Sequence, residues 1–290
     1  TRWYGGDGFY SGTENVTIIL DNNMVVNQDS IRLISTDITF TLDLNGYSLM
    51  VPGGTLSVKS AGTTGAVRIA NTFILQNGTM DATGIDTANA MKRVDIQQVD
   101  FVNMNGNAVS CDRASEGSVS DCTFSHAAGS NNHTAIYIPN SGTSGAIRIS
   151  DVEIRDFGNG INGAYISSAG VELSDITISG ANIGLELSYS RVKAVIVALS
   201  GNKVSGSRGV NCMGFMGAGS NLGDFLNGNK SDLSHVTISD FDSGILMQGS
   251  GTISLDNCKI TNVNHGLNAR DAGVAGTPAY FKVRDRILKA

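Results

Sequence analysis

Along most of this chain an apolar residue is followed by two polar residues and then by two apolar residues one apart, with a Gly and an aliphatic residue some positions later. The pattern reads Ile149-Ser150-Asp151-Val152-Glu153-Ile154 with Gly160-Ile161, and Leu173-Ser174-Asp175-Ile176-Thr177-Ile178 with Gly184-Leu185. It returns from Leu233 to Ile238 with Gly244-Ile245, and from Leu255 to Ile260 with Gly266-Leu267. Looser copies run from Leu44 to Leu49, Leu75 to Met80, Ile96 to Phe101, Val119 to Phe124 and Val192 to Val197. Within each copy the apolar and polar residues alternate, which is the period of a strand with one buried face, and no segment keeps helical spacing for three turns. A strand unit repeating every 20 to 40 residues or so describes a solenoid. The copies are too short for propeller blades and lack the leucine and asparagine consensus of leucine-rich repeats, so a three-sided parallel β-helix is the predicted architecture. The hand of parallel crossovers makes it right-handed.

The expected fold is therefore all-β, a right-handed single-stranded parallel β-helix of about nine to eleven rungs. An irregular opening segment is expected at 1–15, the solenoid at 16–272 with an inserted loop at 207–230, and a C-terminal capping segment at 273–290. Composition agrees, because 36 Gly and 3 Pro among 290 residues suit many tight turns between short strands. The formal net charge is −6 with both signs scattered, so no basic stripe points to nucleic acid. No apolar run approaches the roughly 18 residues of a membrane span. The chain starts at Thr1 without Met or a signal-like stretch, as expected of a processed protein or an excised domain. Of the four cysteines, Cys122 and Cys258 fall at inward strand positions and Cys111 and Cys212 have no metal-ligand spacing, so free buried thiols are expected.

The run Leu42-Asp43-Leu44-Asn45-Gly46-Tyr47, followed by Leu75-Gln76-Asn77-Gly78-Thr79-Met80-Asp81, resembles the opening coils of the pectin-lyase-like right-handed β-helix superfamily. The resemblance covers about three quarters of the chain, and it implies a fold more than a function. That superfamily includes pectate and pectin lyases, polygalacturonases, uronan epimerases and the tailspikes with which phages bind or cut bacterial surface glycans. The paired aspartates of polygalacturonases, the arginine motifs of pectate lyases and the Asp-Pro-His motif of alginate epimerases do not occur, so no catalytic residue carries over by motif. The resemblance implies an extracellular or virion-surface protein that recognises, and in some members depolymerises, an extended polysaccharide. A homotrimer, as in tailspikes, is the implied assembly, and the apolar insertion carrying Met213, Phe215, Met216 and Phe225 either packs back onto the solenoid or covers another subunit. The alternative is a non-catalytic structural or adhesive solenoid.

Stacking of successive coils brings residues far apart in sequence onto one face. The position before the first apolar residue reads Arg148, Glu172, Arg191, Asp232, an alternating column that is either a surface ion ladder or the wall of a cleft between longer connections at 139–146 and 206–231. In the second case Glu172 and Asp232 form the candidate catalytic pair. Two rungs apart they would stand about 9.6 Å from each other, near the roughly 6.5 to 9.5 Å of inverting glycosidases. Arg148, Arg191, Tyr165 and Tyr189 are the candidate substrate-binding residues, since aromatic rings cover sugar faces and guanidinium forks hold hydroxyls or carboxylates. A lyase would instead use Arg148 and Arg191 on a uronate carboxylate, with Tyr189 nearest for proton abstraction. Asp121, Asp151 and Asp175 share a turn position that His235 ends, read as turn capping with a calcium site as the alternative; no other metal or cofactor is expected. Tyr137, Asn162 and Glu186 form a further column on the outer face of the later strand.

Overall fold

The structure is a computed structural model. It describes residues 8–10, 14–26, 30–33, 37–60, 71–87, 91–111, 114–127, 132–139, 145–164, 170–188, 191–213, 230–248, 251–270, 279–284 and 287–288. Among these, 24 strands join in one continuous sheet in which the paired strands run parallel. Strands in the middle of the stack pair with their counterparts from the preceding and following repeats, as Glu116–His126 does with Arg93–Met104 and Ile147–Arg155. The architecture is that of a parallel β-solenoid, with no helix among the described residues long and apolar enough to cross a membrane.

One repeat shows how the sequence makes a coil. Ile147–Arg155 is a strand bent at Asp151, whose φ of 54° is left-handed, so the chain leaves one face at Ser150 and enters the second at Val152. After a second corner at Asp156, with φ 63°, the strand Asn159–Ala164 builds the third face. The inward residues Ile147, Ile149, Val152, Ile154 and Ile161 are at most 3% exposed. They stack on Val171, Leu173, Ile176, Ile178 and Leu185 of the next coil. Removing such side chains from water contributes about 1.5 to 3 kcal/mol each, and this interior is what holds the coils in register. Phe101 and Phe124 stack within it at 4.6 Å between ring centroids.

The Gly of the sequence pattern has a steric cause. Gly160, Gly184, Gly209 and Gly244 open the third face in successive coils, and a Cβ on Gly184 would stand 2.6 Å from the Gly209 carbonyl oxygen. A Cβ on Gly244 would meet Ile260 Cγ2 and the Gly266 carbonyl at the same kind of distance, 2.6 and 2.7 Å.

The register differs from the sequence expectation in two coils. Leu75 pairs with Leu42, and Leu173 pairs with Ala194, so the repeats begin at Leu42 and Ala194 in place of Leu44 and Val192. Both slips are of two residues, which keeps the alternation before the corner, but they take Tyr47 and Val195 out of the inward position expected after it: Tyr47 is exposed and Val195 stands opposite Ser174. Described residues near both ends also pair as strands. Gly8–Tyr10 pairs with Ser30–Leu33, while Ala279–Arg284 and Ile287–Leu288 continue the ladder on Gly251–Asp256 and Lys259–Thr261. Of the expected insertion, Arg208–Met213 is a third-face strand in register with Ile183–Ser188, and 214–229 lie outside the described residues.

Candidate functional site

The two-residue slip moves one member of the predicted column. Glu172 pairs with Arg148 on one side and with Lys193 on the other, and Lys193 pairs with Asp232. Arg191 lies two positions away, beside Lys230. The column is thus Arg148, Glu172, Lys193, Asp232, still alternating in sign but without Arg191. It is solvated: Arg148 Nε donates to Glu172 Oε2 at 2.9 Å with side-chain exposures of 65% and 48%. A pair so open contributes on the order of 0 to 1 kcal/mol. Glu172 and Asp232 do share this face two coils apart, about 9.6 Å by strand spacing. Tyr165 and Tyr189 lie outside the described residues, as do 140–144, so the expected cleft between raised loops is not part of the described surface.

The aspartate column has a conformational explanation. Asn77, Gln98, Asp121, Asp151, Asp175, Ile196, His235 and Asn257 occupy the same corner, each with φ between 49° and 60°. Asp and Asn visit this left-handed region most readily after Gly, which accounts for their recurrence. Among the described residues no group of three or more His, Cys, Asp or Glu side chains could hold a metal ion. Cys111, Cys122 and Cys212 are buried free thiols and Cys258 is half-buried and free, as the sequence suggests. Burial pushes the first three up to about 12.

A groove opens instead at the second corner. It holds about 460 Å³ and is lined by Asn132, Asn159, Asn182, Ile183 and the run Val204 to Arg208. Its floor crosses successive coils, because Asn182 N–H donates to the Gly158 carbonyl, next to Asn159, and Arg208 N–H donates to the Asn182 carbonyl. The corner is brief in the lower coils, as at Gly180-Ala181-Asn182, but longer in the coil that carries Gly201 to Ser207. The longer corner makes the wall. Ser207 N–H donates to the Val204 carbonyl at 3.0 Å across a turn whose Gly206 has φ 81°. The coil above pins this turn: Asp242 Oδ2 accepts from the Gly206 N–H at 2.9 Å, and Ser207 Oγ accepts from the Asp242 N–H at 2.9 Å. A wall fixed in this way is preorganised for a ligand.

On the third face beside this groove, Tyr137, Asn162, Glu186 and Asn211 are in register, so the predicted outer column exists and extends to Asn211. Asn162 Nδ2 donates to Glu186 Oε2 at 3.1 Å, and Asn159 Nδ2, from the groove floor, reaches the same oxygen at 3.4 Å. Burial holds the Glu186 carboxyl above the usual carboxylate range, with the Arg208 charge and the Asn211 amide opposing it in part. The carbonyl oxygens of Asn162 and Asn211 are buried without a hydrogen-bond partner among the described residues. Buried acceptors left unmade are costly and mark a place where a donor would be gained.

Asn132, Asn159, Asn182, Arg208 and Asn211 escape the sequence reading. The one available signal was the Gly201-Asn202-Lys203-Val204-Ser205-Gly206 spacer, longer than the matching stretch Gly180 to Asn182. No family model, no curated protein and no solved structure matches this chain.

Proposed function

We propose that the protein recognises an extended polysaccharide, in the manner of a tailspike-like solenoid on a virion or in the extracellular space, and that the corner groove is the binding site. The observation that carries this reading is the course of the groove: its lining crosses consecutive coils about 4.8 Å apart, with Asn159, Asn182 and Arg208 each supplied by a different one. A polymer with repeating hydroxyl groups laid along it can meet a polar side chain in each coil. The fold belongs with this proposal as a right-handed, pectin-lyase-like β-helix of about nine to eleven coils that associates as a trimer. Depolymerisation is assigned to Glu172 and Asp232 on the first face, which does not adjoin the corner groove and is a separate site, with Arg148 and Lys193 between and beside them.

Binding of a panel of glycan polymers, followed by affinity electrophoresis, tests the reading. Asn159→Ala and Asn182→Ala should each weaken retention about tenfold, the loss expected for one or two hydrogen bonds. A reducing-end assay with Glu172→Gln and Asp232→Asn addresses cleavage, and unchanged cleavage in both removes that pair. A chain that binds no glycan at all is the structural or adhesive solenoid.

A further inference from the structure

Charge around the corner groove restricts the class of glycan. Arg208 is the one charged side chain among the described lining residues. Two carboxylates stand directly behind that lining. Glu186 accepts from Asn159 Nδ2 at 3.4 Å, and its strand pairs directly with that of Arg208, Ile183 standing opposite Arg208 and Glu186 opposite Asn211. Asp242 accepts from the Gly206 N–H and is tied through its own N–H to Ser207. Lys203, next to the wall, is committed elsewhere, its Nζ held 2.6 Å from Asn262 Oδ1 beside Asp240. A polyanion needs cations without nearby counter-charges; here every cation at the groove has a carboxylate at its back. The remaining lining polar groups are amides and hydroxyls, which meet sugar hydroxyl or acetamido groups without any charge requirement.

We propose that this groove selects an uncharged polysaccharide bearing hydroxyl or acetamido groups, and that Glu186 sets the selectivity by offsetting Arg208. The inference rests on the glycan-binding reading above and adds its substrate class. Polyuronates and other acidic glycans are rejected because each carboxylate would be placed against Glu186 or Asp242.

The test uses the full chain against neutral polymers (dextran, galactomannan, chitooligosaccharides) and polyanions (polygalacturonate, alginate), at low and high salt. Wild-type protein should bind a neutral member with an affinity that does not change with ionic strength, since no net charge is exchanged. Glu186→Gln should raise affinity for the polyanions about tenfold at low salt, an increase erased by high salt and by the double variant Glu186→Gln/Arg208→Gln. Asp242→Asn is the second variant and should shift selectivity the same way. A wild-type preference for polyanions, or no gain of polyanion binding in either folded variant, overturns this inference while leaving glycan recognition standing. Failure of the wild type to bind every polymer overturns glycan recognition itself.

Discussion

Ile196 sits at φ 56°, a left-handed conformation in which a β-branched side chain crowds its own carbonyl, and it is 55% exposed. Its neighbours in the corner column are Asp175 below and His235 above. Ile196→Asn should therefore stabilise the protein by about 1 kcal/mol in urea unfolding, and Asp175→Val should cost about as much. The same residue explains what the sequence hid. In the other coils a polar residue marks the corner and fixes where the repeat begins; in this coil the mark is an isoleucine, and Val192, two positions before Ala194, looks like the better first apolar residue. Arg191 was placed in the charged column for that reason, and Lys193 was missed. A second residue-scale outcome concerns Asp43. Burial pushes its carboxyl up, but hydrogen bonds from Gln76, the Asn45 amide and Asn77 outweigh that and leave it below its ordinary value of 3.8. A carboxylate lowered in the folded state adds stability that is present above the ordinary value and is lost as pH falls through the lowered one. Acid unfolding of Asp43→Asn should accordingly show a weaker pH dependence below about pH 4 than the wild type, while the two curves run parallel at neutral pH.

At the scale of a strand, the glycine that opens each third-face segment was plain in the sequence, and its reason lies in the approach of the next coil. Gly184 and Gly209 have a carbonyl oxygen of the following coil 2.6 to 2.7 Å from where a Cβ would be, whereas Gly266 has nothing within 4 Å. Alanine at 184 or 209 should cost about 1 to 3 kcal/mol, and Gly266→Ala should stay within about 0.5 kcal/mol of wild type, measured by chemical denaturation. Equal costs at all three positions would refute the stacking explanation. The corner groove was less legible than these strands, because its lining comes from turns of several coils whose lengths vary without any hydrophobic pattern. An apolar period locates faces; it says nothing of a turn such as Val204 to Ser207, whose position is fixed by Asp242 in another coil. The inward cysteines were legible for the opposite reason, since they follow the period. Native protein should react with a thiol reagent at Cys258 alone among the four, and only slowly, with Cys111, Cys122 and Cys212 becoming reactive on unfolding.

For the molecule as a whole, each coil touches its neighbours and little else, so stability is close to a sum of coil and interface contributions along one axis. A local defect in such a stack should be felt locally. Phe124 is 1% exposed and stacks on Phe101 of the coil below. Phe124→Ala removes that ring and leaves a cavity, at a cost of about 3 to 5 kcal/mol to the interfaces it belongs to. In a globular core the loss would lower protection of every strand together. Here, hydrogen exchange should show it concentrated in Arg93–Met104, Glu116–His126 and Ile147–Arg155, the strands that pair across the defect. Gly251–Asp256, several coils away, should keep wild-type exchange rates under native conditions, because the interfaces with Lys230–Ser239 and Ala279–Arg284 that protect it are untouched. Uniform loss of protection along the chain would mean that the stack unfolds as one cooperative block. The corner groove would then share its stability with the distant ends, and binding of a glycan there should raise protection over the whole solenoid instead of in the coils that line it.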